Sequence, residues 1–172
     1  QAMVDEEVAK INNKHPLKVI TMTGSDDHTM TFDLCGADVH LNSEKHELLI
    51  NMPSYIRKVL KRFDMLDAKP RDTPAFPEQN LYATDSSPSK FEYRACIGAL
   101  QWAANTCRPD ICHAKNVLAR ASANSSTKAM VKCCRLVMRY LVGTIELGIH
   151  YSPASEAQYE SMFEEMRKDM IK

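Results

Sequence analysis

The chain has 172 residues, of which 44% are hydrophobic, and its 22 Lys and Arg residues are balanced by 22 Asp and Glu residues. This length suits one globular unit or a piece of a larger one. Because the formal net charge is zero, no global field indicates a nucleic-acid or membrane partner, and any electrostatic interpretation must rest on local patches.

Cysteine spacing and hydropathy indicate the cellular compartment in which the protein is expected. The six cysteines are Cys35, Cys96, Cys107, Cys112, Cys133 and Cys134. Their spacing is not the regular framework of a small secreted domain, so we expect reduced thiols in an intracellular protein, either cytoplasmic or nuclear. No stretch approaches the roughly eighteen apolar residues of a membrane span, so no membrane partner is expected.

The N-terminal third predicts one short helix and several strands. Val4 to Ile11 suits a short helix, and the alternation with β-branched residues from Lys18 to Thr23 predicts a strand. After a turn-rich Gly24-Ser25-Asp26-Asp27 segment, two strands from Thr29 to Leu41 and from His46 to Met52 form a β-hairpin.

A helix and a proline-rich segment follow. Pro53 suits a first helical turn, and Ile56, Val59, Leu60 and Phe63 then form an apolar stripe. From Lys69 to Lys90 four prolines occur among Asp, Ser, Thr and Asn residues. This composition predicts neither a helix nor a contribution to a core, so the segment is expected to be a linker or a long surface loop.

The C-terminal half is predicted to be mainly helical. Helical windows extend over Phe91 to Thr106, Pro109 to Ala123 and Thr127 to Leu141, with Ser125, Ser126 or Thr127 as cap candidates for the third. Leu147 to Tyr151 predicts a short strand, and Ala154 to Lys172 predicts a charged, Met-rich helix with a weak apolar stripe.

One window is specific enough to name a family. The order of Tyr93-Arg94, Gly98-x-Leu100 and Asn105-Thr106-x-Arg108-Pro109-Asp110-Ile111 resembles the segment after the reverse-transcriptase core in copia-type retrotransposon Pol polyproteins. Two more blocks follow the family's order, around Tyr55 to Phe63 and around Arg139 to Tyr151. The resemblance covers residues 30–152.

The resemblance implies a role for the first hairpin. Leu34-Cys35-Gly36-Ala37-Asp38-Val39 is similar to the family's Phe-Leu-Gly-Ile-Glu-Ile, whose hairpin holds the 3′ end of the primer, although Leu34 replaces an aromatic residue and Cys35 a leucine. The polymerase aspartates of the family, which bind Mg²⁺ in the intact enzyme, lie upstream, and its ribonuclease H domain lies downstream. We therefore expect this chain to contain neither catalytic centre and no cofactor.

Two basic helix faces are candidates for phosphate contact. Arg57, Lys58, Lys61 and Arg62 crowd the polar side of the helix after the hairpin, and Lys128, Lys132, Arg135 and Arg139 form one stripe on the third C-terminal helix. Spaced cations can follow a nucleic-acid backbone, but ordinary solvated helix faces explain both sets as well. The candidate nucleic-acid contacts are Leu34, Cys35, Gly36, Arg57, Lys58, Lys61, Arg62, Lys128, Lys132, Arg135 and Arg139, and no catalytic or metal-binding residue is assigned.

Other reactive residue types favour structural interpretations. Ser25-Asp26-Asp27 suits a solvated turn better than a metal site. Cys107, Cys112 and His113 suit helix packing better than zinc ligation. Trp102 is expected in the core rather than as a base-stacking platform. Arg108 and Asp110 flank Pro109, where helix capping is the simplest role.

The sequence thus predicts an α+β fold, with a small antiparallel hairpin layer and a thumb-like helix before a mainly helical half with one short strand. The expected divisions are 1–66 for the hairpin and thumb-like helix, 67–90 for the linker, 91–152 for the helical connection-like region and 153–172 for the charged tail. The expected function is a non-catalytic segment of an RNA-directed DNA polymerase that holds an RNA/DNA primer-template without sequence preference, together with the remainder of the polyprotein. The alternatives are a degenerate or domesticated remnant that acts as a helical interaction module or has no selected function, and an active polymerase or nuclease, which requires carboxylates that the sequence does not place.

Overall fold

A five-stranded antiparallel sheet and six α-helices make up the described part of the chain. The computed structural model describes residues 2–14, 23–26, 28–82, 89–121 and 127–170. The elements are α1 (Ala2–Lys14), β1 (Thr23–Asp26), β2 (Thr29–Leu34), β3 (Ala37–Asn42), β4 (Glu47–Asn51), α2 (Pro53–Arg62), α3 (Tyr93–Thr106), α4 (Cys112–Arg120), α5 (Lys128–Gly143), β5 (Ile149–Tyr151) and α6 (Pro153–Met170). The predicted α+β fold with a mainly helical C-terminal half is confirmed.

The strand order in the sheet follows the chain, from β1 to β5. β5 pairs with β4 so that Ile149 lies opposite Ile50 and Tyr151 lies opposite Leu48. The short strand predicted at Leu147 to Tyr151 is therefore confirmed in its last three residues. It extends the N-terminal hairpin layer, although α2, α3, α4 and α5 lie between β4 and β5 in the sequence.

A tight turn divides the strand predicted from Thr29 to Leu41. Leu34 pairs with Ala37, and the two residues between them, Cys35 and Gly36, have φ angles of 55° and 87°. Two central residues with positive φ match a type I′ turn, whose twist suits adjacent antiparallel strands. The prediction of a single strand was wrong because a cysteine is an unusual first residue for such a turn.

The region before β2 also differs from the prediction. Thr23–Asp26 forms β1, which pairs with β2 with a register irregularity between Thr23 and Asp26. The turn expected at Gly24-Ser25-Asp26 is therefore wrong, and Asp27 lies outside the described residues. The strand predicted from Lys18 to Thr23 also lies outside them except for Thr23, the first residue of β1.

The predicted helices are confirmed with small changes at their ends. Pro53 occupies the first turn of α2, and the expected apolar stripe on this helix is buried. The second C-terminal window begins with a 3-10 turn at Pro109–Ile111 before α4. Thr127 caps α5, because its hydroxyl accepts a hydrogen bond from the Met130 backbone N–H at 3.3 Å, and Ser125 and Ser126 lie outside the described residues.

One apolar cluster joins α2, α3, α4 and α5, and Ile50 and Ile149 of the sheet pack against it. Part of the proline-rich segment also contributes. Leu81 lies in a 3-10 turn (Glu78–Tyr82) and is buried in this cluster, so the expectation that the segment contributes nothing to a core was wrong at this residue. The four proposed divisions of the chain stay predictions.

The two terminal helices are the least buried. All side chains described in α1 are exposed, and those described in α6 are exposed except that of Ser155, which is partly buried. Among the helices of the described residues, none is long and apolar enough to cross a membrane.

Candidate functional site

The exposed tip of the β2–β3 hairpin contains the first three candidate residues. Leu34 is 50% exposed, and Cys35 and Gly36 are exposed at the turn. Ala37, opposite Leu34, is buried and anchors the hairpin at this end. Because Asp38 pairs with Asn51 at the end of β4, the tip lies at the edge of the sheet where α2 begins.

The four cations of α2 differ in whether they form an ion pair with a described carboxylate. Arg57 forms an ion pair with Glu146, and Arg62 forms one with Glu92 at 3.1 Å. The Arg62 guanidinium also lies 5.4 Å from the centroid of the Phe63 ring. Lys58 and Lys61 are exposed, and no carboxylate of the described residues pairs with either. An external anion can therefore contact these two lysines without breaking an ion pair within the described residues.

The basic stripe of α5 lies opposite its buried face, as the sequence predicts. Lys128, Lys132 and Arg135 are exposed and form no ion pair within the described part of the chain. Arg139 is partly buried, and its Nε donates to the Lys69 carbonyl at 2.6 Å. The Arg139 carbonyl accepts from the Arg71 backbone N–H at 3.2 Å. The end of the stripe therefore fixes the proline-rich segment, and the first three cations remain available.

Arg108 has a structural role that the capping prediction missed. Its side chain is completely buried, and its guanidinium binds both carboxylate oxygens of Asp110. It also donates to the Thr144 carbonyl at 2.8 Å and to the Thr144 hydroxyl at 2.7 Å. No side-chain cap hydrogen bond forms at this 3-10 turn. The cation instead joins the α3–α4 connection to the end of α5.

The environment of Asp110 follows from this contact. Burial alone would raise the pKa of the Asp110 carboxyl, but hydrogen bonds from Arg108 and Tyr140 and the positive charge of Arg108 outweigh that effect. The pKa is therefore held below its ordinary value, and the ion pair persists at neutral pH.

The cysteines pack as helix side chains where they are described in α3, α4 and α5. Cys96, Cys133 and Cys134 are buried, and a hydrogen bond with Cys96 together with burial raises the pKa of the Cys134 thiol. Burial also raises the pKa of Cys107. Within the described residues, no group of three or more His, Cys, Asp or Glu residues is placed to hold a metal ion.

Trp102 contradicts its prediction. It is the single tryptophan of the chain, and 46% of its surface is exposed on α3. The core positions of α3 are filled instead by smaller residues such as Cys96, Leu100 and Ala103. The buried residues Cys96, Leu100 and Ala103 recur every three or four positions, and Trp102 falls outside this repeat, so the helical periodicity itself was the signal for its exposure.

Comparison with known proteins finds relatives among transposon proteins. The chain is 36% identical over 104 residues to the retrovirus-related Pol polyprotein from transposon RE1 of Arabidopsis thaliana, a match that covers 59% of this chain and 7% of that protein. It is 29% identical over 119 residues to the corresponding polyprotein from transposon TNT 1-94 of Nicotiana tabacum, covering 64% and 9% respectively. It is 27% identical over 123 residues to a putative transposon Ty5-1 protein of Saccharomyces cerevisiae, covering 70% and 39%.

The chain thus spans less than a tenth of the length of the two plant polyproteins. No protein-family model and no solved structure matches it. The resemblance to Pol polyproteins of retrotransposons is confirmed.

Proposed function

We propose that this chain, which is similar to a segment of retrovirus-related Pol polyproteins from transposons, is a non-catalytic part of a copia-type reverse transcriptase that helps to hold a primer-template duplex. Mg²⁺ and the polymerase carboxylates belong, in this proposal, to other parts of the polyprotein. The contacts are made to phosphate and sugar, so binding is independent of sequence and weakens with salt.

The observation that carries the proposal is the set of available cations on two helix faces. Lys58 and Lys61 on α2, and Lys128, Lys132 and Arg135 on α5, are exposed and form no ion pair among the described residues. Their neighbours Arg57 and Arg62 are already engaged by Glu146 and Glu92. A face that keeps its lysines free of carboxylates favours an anionic partner over mere solvation.

The hairpin tip adds an apolar contact. Leu34 and Cys35 project at a turn held by the Leu34–Ala37 pair, and Gly36 leaves open space where a side chain would lie. A backbone turn with a small residue at its apex can approach a sugar-phosphate chain closely. In the proposal, this tip lies against the end of the primer and the α2 cations hold the strand behind it.

The test is a fluorescence-anisotropy titration of the folded chain with a labelled RNA–DNA hybrid duplex at several salt concentrations. One variant carries Lys58→Gln and Lys61→Gln, and a second carries Lys128→Gln, Lys132→Gln and Arg135→Gln. Arg167→Gln with Lys168→Gln on α6 is a control that removes the same charge as the first variant. Since each phosphate contact contributes about 0.9 to the slope of log K against log salt, the first variant should lower that slope by roughly 2 and the second by roughly 3.

The control variant shows whether binding depends on the α2 lysines in particular or only on the net charge of the chain. Equal weakening by the α6 control and the α2 variant would show that only net charge matters. No binding by the folded wild-type chain at low salt would refute the proposal.

A second candidate function is supported by α6. Tyr159, Met162, Phe163 and Met166 are exposed and lie on one side of this helix, at the spacing of a helix-packing stripe. Exposed apolar stripes of this kind occur at protein interfaces, which favours a domesticated remnant that acts as a helical interaction module. Sedimentation at low and high salt tests it, because self-association that persists at high salt and is lost in a Phe163→Ser variant would support this function.

A further inference from the structure

An exposed tryptophan, Trp102, lies on α3, which α2 contacts at two points. Tyr55 on α2 donates its hydroxyl to the Ala99 carbonyl of α3 at 3.2 Å, and Arg62 at the other end of α2 pairs with Glu92 just before α3 begins. The start of α2 therefore contacts the middle of α3, and the end of α2 contacts the residue before α3. Trp102 follows Ala99 by one helical turn and lies on α3 near the level where α2 starts.

Two exposed cations, Lys58 and Arg94, lie on α2 and α3. Lys58 is three residues after Tyr55 and four before Arg62, so it lies on the side of α2 that faces α3. Arg94 is exposed on α3, two turns before Trp102, and forms no ion pair with a described residue. The nearest acidic side chain along α3, Glu92, is already neutralised by Arg62. The surface formed by α2 and α3 therefore carries two cations, Lys58 and Arg94, that pair with no described carboxylate, although the chain as a whole is neutral.

The ring also has free space beside it. Gly98 lies one turn before Trp102 on the same side of α3, and a Cβ built there meets no atom within 4 Å. On the far side, Gln101 is held by the Lys115 ammonium at 2.7 Å, so it is fixed toward α4. The exposed side of α3 is therefore open one turn before Trp102.

We propose that Trp102 is a stacking platform for an unpaired base of a nucleic-acid strand whose phosphates contact Lys58 and Arg94. The inference rests on the proposed function and specifies it, because a positive surface with an exposed indole fits an anionic strand with exposed bases. Base–aromatic stacking accepts any base, since every base has a π face. A protein partner would require acidic side chains opposite Lys58 and Arg94, and it is an outcome of the test below.

The single tryptophan provides a direct readout. The chain is titrated with an unlabelled hybrid duplex that carries an unpaired template extension, and with the same duplex with blunt ends, while Trp102 fluorescence is recorded. Stacking should quench the indole with the extended duplex and leave it nearly unchanged with the blunt one. In parallel, anisotropy with labelled duplexes measures affinity for the wild type, Trp102→Ala, Trp102→Phe and a Tyr151→Ala control on β5, whose side chain is exposed.

Stacking on an aromatic contributes about 1 to 3 kcal/mol per base, so Trp102→Ala should weaken binding of the extended duplex by roughly 5- to 150-fold. Trp102→Phe should retain most of the affinity, and Tyr151→Ala should leave it unchanged. Thermal unfolding of the Trp102 variants shows that each is folded, as expected for a half-exposed side chain.

The outcomes separate the inference from the proposed function. Binding of both duplexes without quenching of Trp102 would overturn the stacking platform and leave the duplex-holding function standing. No binding of either duplex would overturn both. Quenching or protection of the indole that depends on protein concentration alone, without nucleic acid, would overturn the platform in favour of a protein contact at Trp102.

Discussion

Arg108 and Asp110 form a bidentate ion pair, with Nε 3.0 Å from Oδ1 and Nη2 2.8 Å from Oδ2, at the point where α3 gives way to α4. The guanidinium is completely buried, whereas about a quarter of the Asp110 side chain is exposed. The same guanidinium binds Thr144 just after α5. One buried cation therefore ties three helices together, and its single carboxylate partner compensates its charge.

Removal of that carboxylate should destabilise the fold strongly. Asp110→Ala leaves the buried Arg108 charge with only neutral partners, and breaking a buried ion pair in this way costs about 3 to 5 kcal/mol. The free energy of unfolding, measured by urea denaturation, should fall by that amount. Glu160→Ala on exposed α6 is the control, and a loss for Asp110→Ala no larger than the control's would contradict the assigned role.

The same ion pair predicts how the free energy of unfolding falls at acid pH. Because the pKa of Asp110 is lowered in the folded state, the pair stabilises the fold above the unfolded-state value of about 3.9, and this contribution is lost as pH falls through the lower folded-state pKa. Between about pH 5 and pH 2, an Asp110→Asn variant should lose less unfolding free energy than the wild type. If the free energy of unfolding falls equally with pH in the wild type and in Asp110→Asn, Asp110 is not the group responsible.

Gly148 should not tolerate a side chain. A Cβ at this position would lie 2.2 Å from the Ile50 carbonyl oxygen and 2.6 Å from the Asn51 Cβ, so Gly148→Ala must push β5 away from β4. Overpacking of this kind costs about 1 to 3 kcal/mol. Gly98→Ala is the matched comparison, since its Cβ meets nothing and a helix-interior alanine should add about 0.5 to 1 kcal/mol. Thermal unfolding of both variants should move in opposite directions.

The β2–β3 turn can be improved. Cys35 has a φ of 55°, a conformation that costs most side chains about 1 to 2 kcal/mol and that asparagine adopts more readily. Cys35→Asn should therefore raise the free energy of unfolding by roughly 0.5 to 1 kcal/mol. Cys35→Ser removes the thiol without the same backbone preference and should give no comparable gain. Equal stability of the two variants would mean that the backbone conformation at residue 35 does not reduce the stability of the fold.

Thiol chemistry should distinguish the six cysteines. Cys35 is exposed, whereas Cys96, Cys107, Cys133 and Cys134 are buried, and burial raises the pKa of Cys107 and Cys133. Since the thiolate is the reactive form, a disulfide reagent should modify Cys35 quickly and the four buried thiols only as the chain unfolds. Peptide mapping after a short exposure checks this order, and early modification of Cys134 would contradict the packing of α5.

Local patterns in the sequence predicted much of the fold. The apolar stripe of α2 and the opposed faces of α5 follow from helical periodicity, and Thr127 is a cap by residue type. The turn at Cys35-Gly36 was missed because the preference for Asn or Asp before glycine is only statistical. The strand at Gly24 to Asp26 was missed because pairing with β2 overrides the turn preference of these residues.

The candidate site was predicted less completely for a different reason. Exposure and pairing of charged residues depend on which elements meet, so nothing in the order of residues shows that Glu146 neutralises Arg57. The burial of Arg108 depends in the same way on Thr144, which is distant in sequence. Trp102 was misplaced because a large apolar residue type favours burial, whereas its position lies outside the buried repeat of α3.

The pairing of β4 with β5 constrains how the protein is made. The partner strand of β4 follows four further helices in the sequence, so the edge of β4 that faces β5 stays unpaired until Ile149–Tyr151 has left the ribosome. Unpaired strand edges are where chains associate wrongly. A ribosome that stops within α5 would release a chain with this edge open, and such a product is expected to depend on chaperones and to be removed by proteolysis.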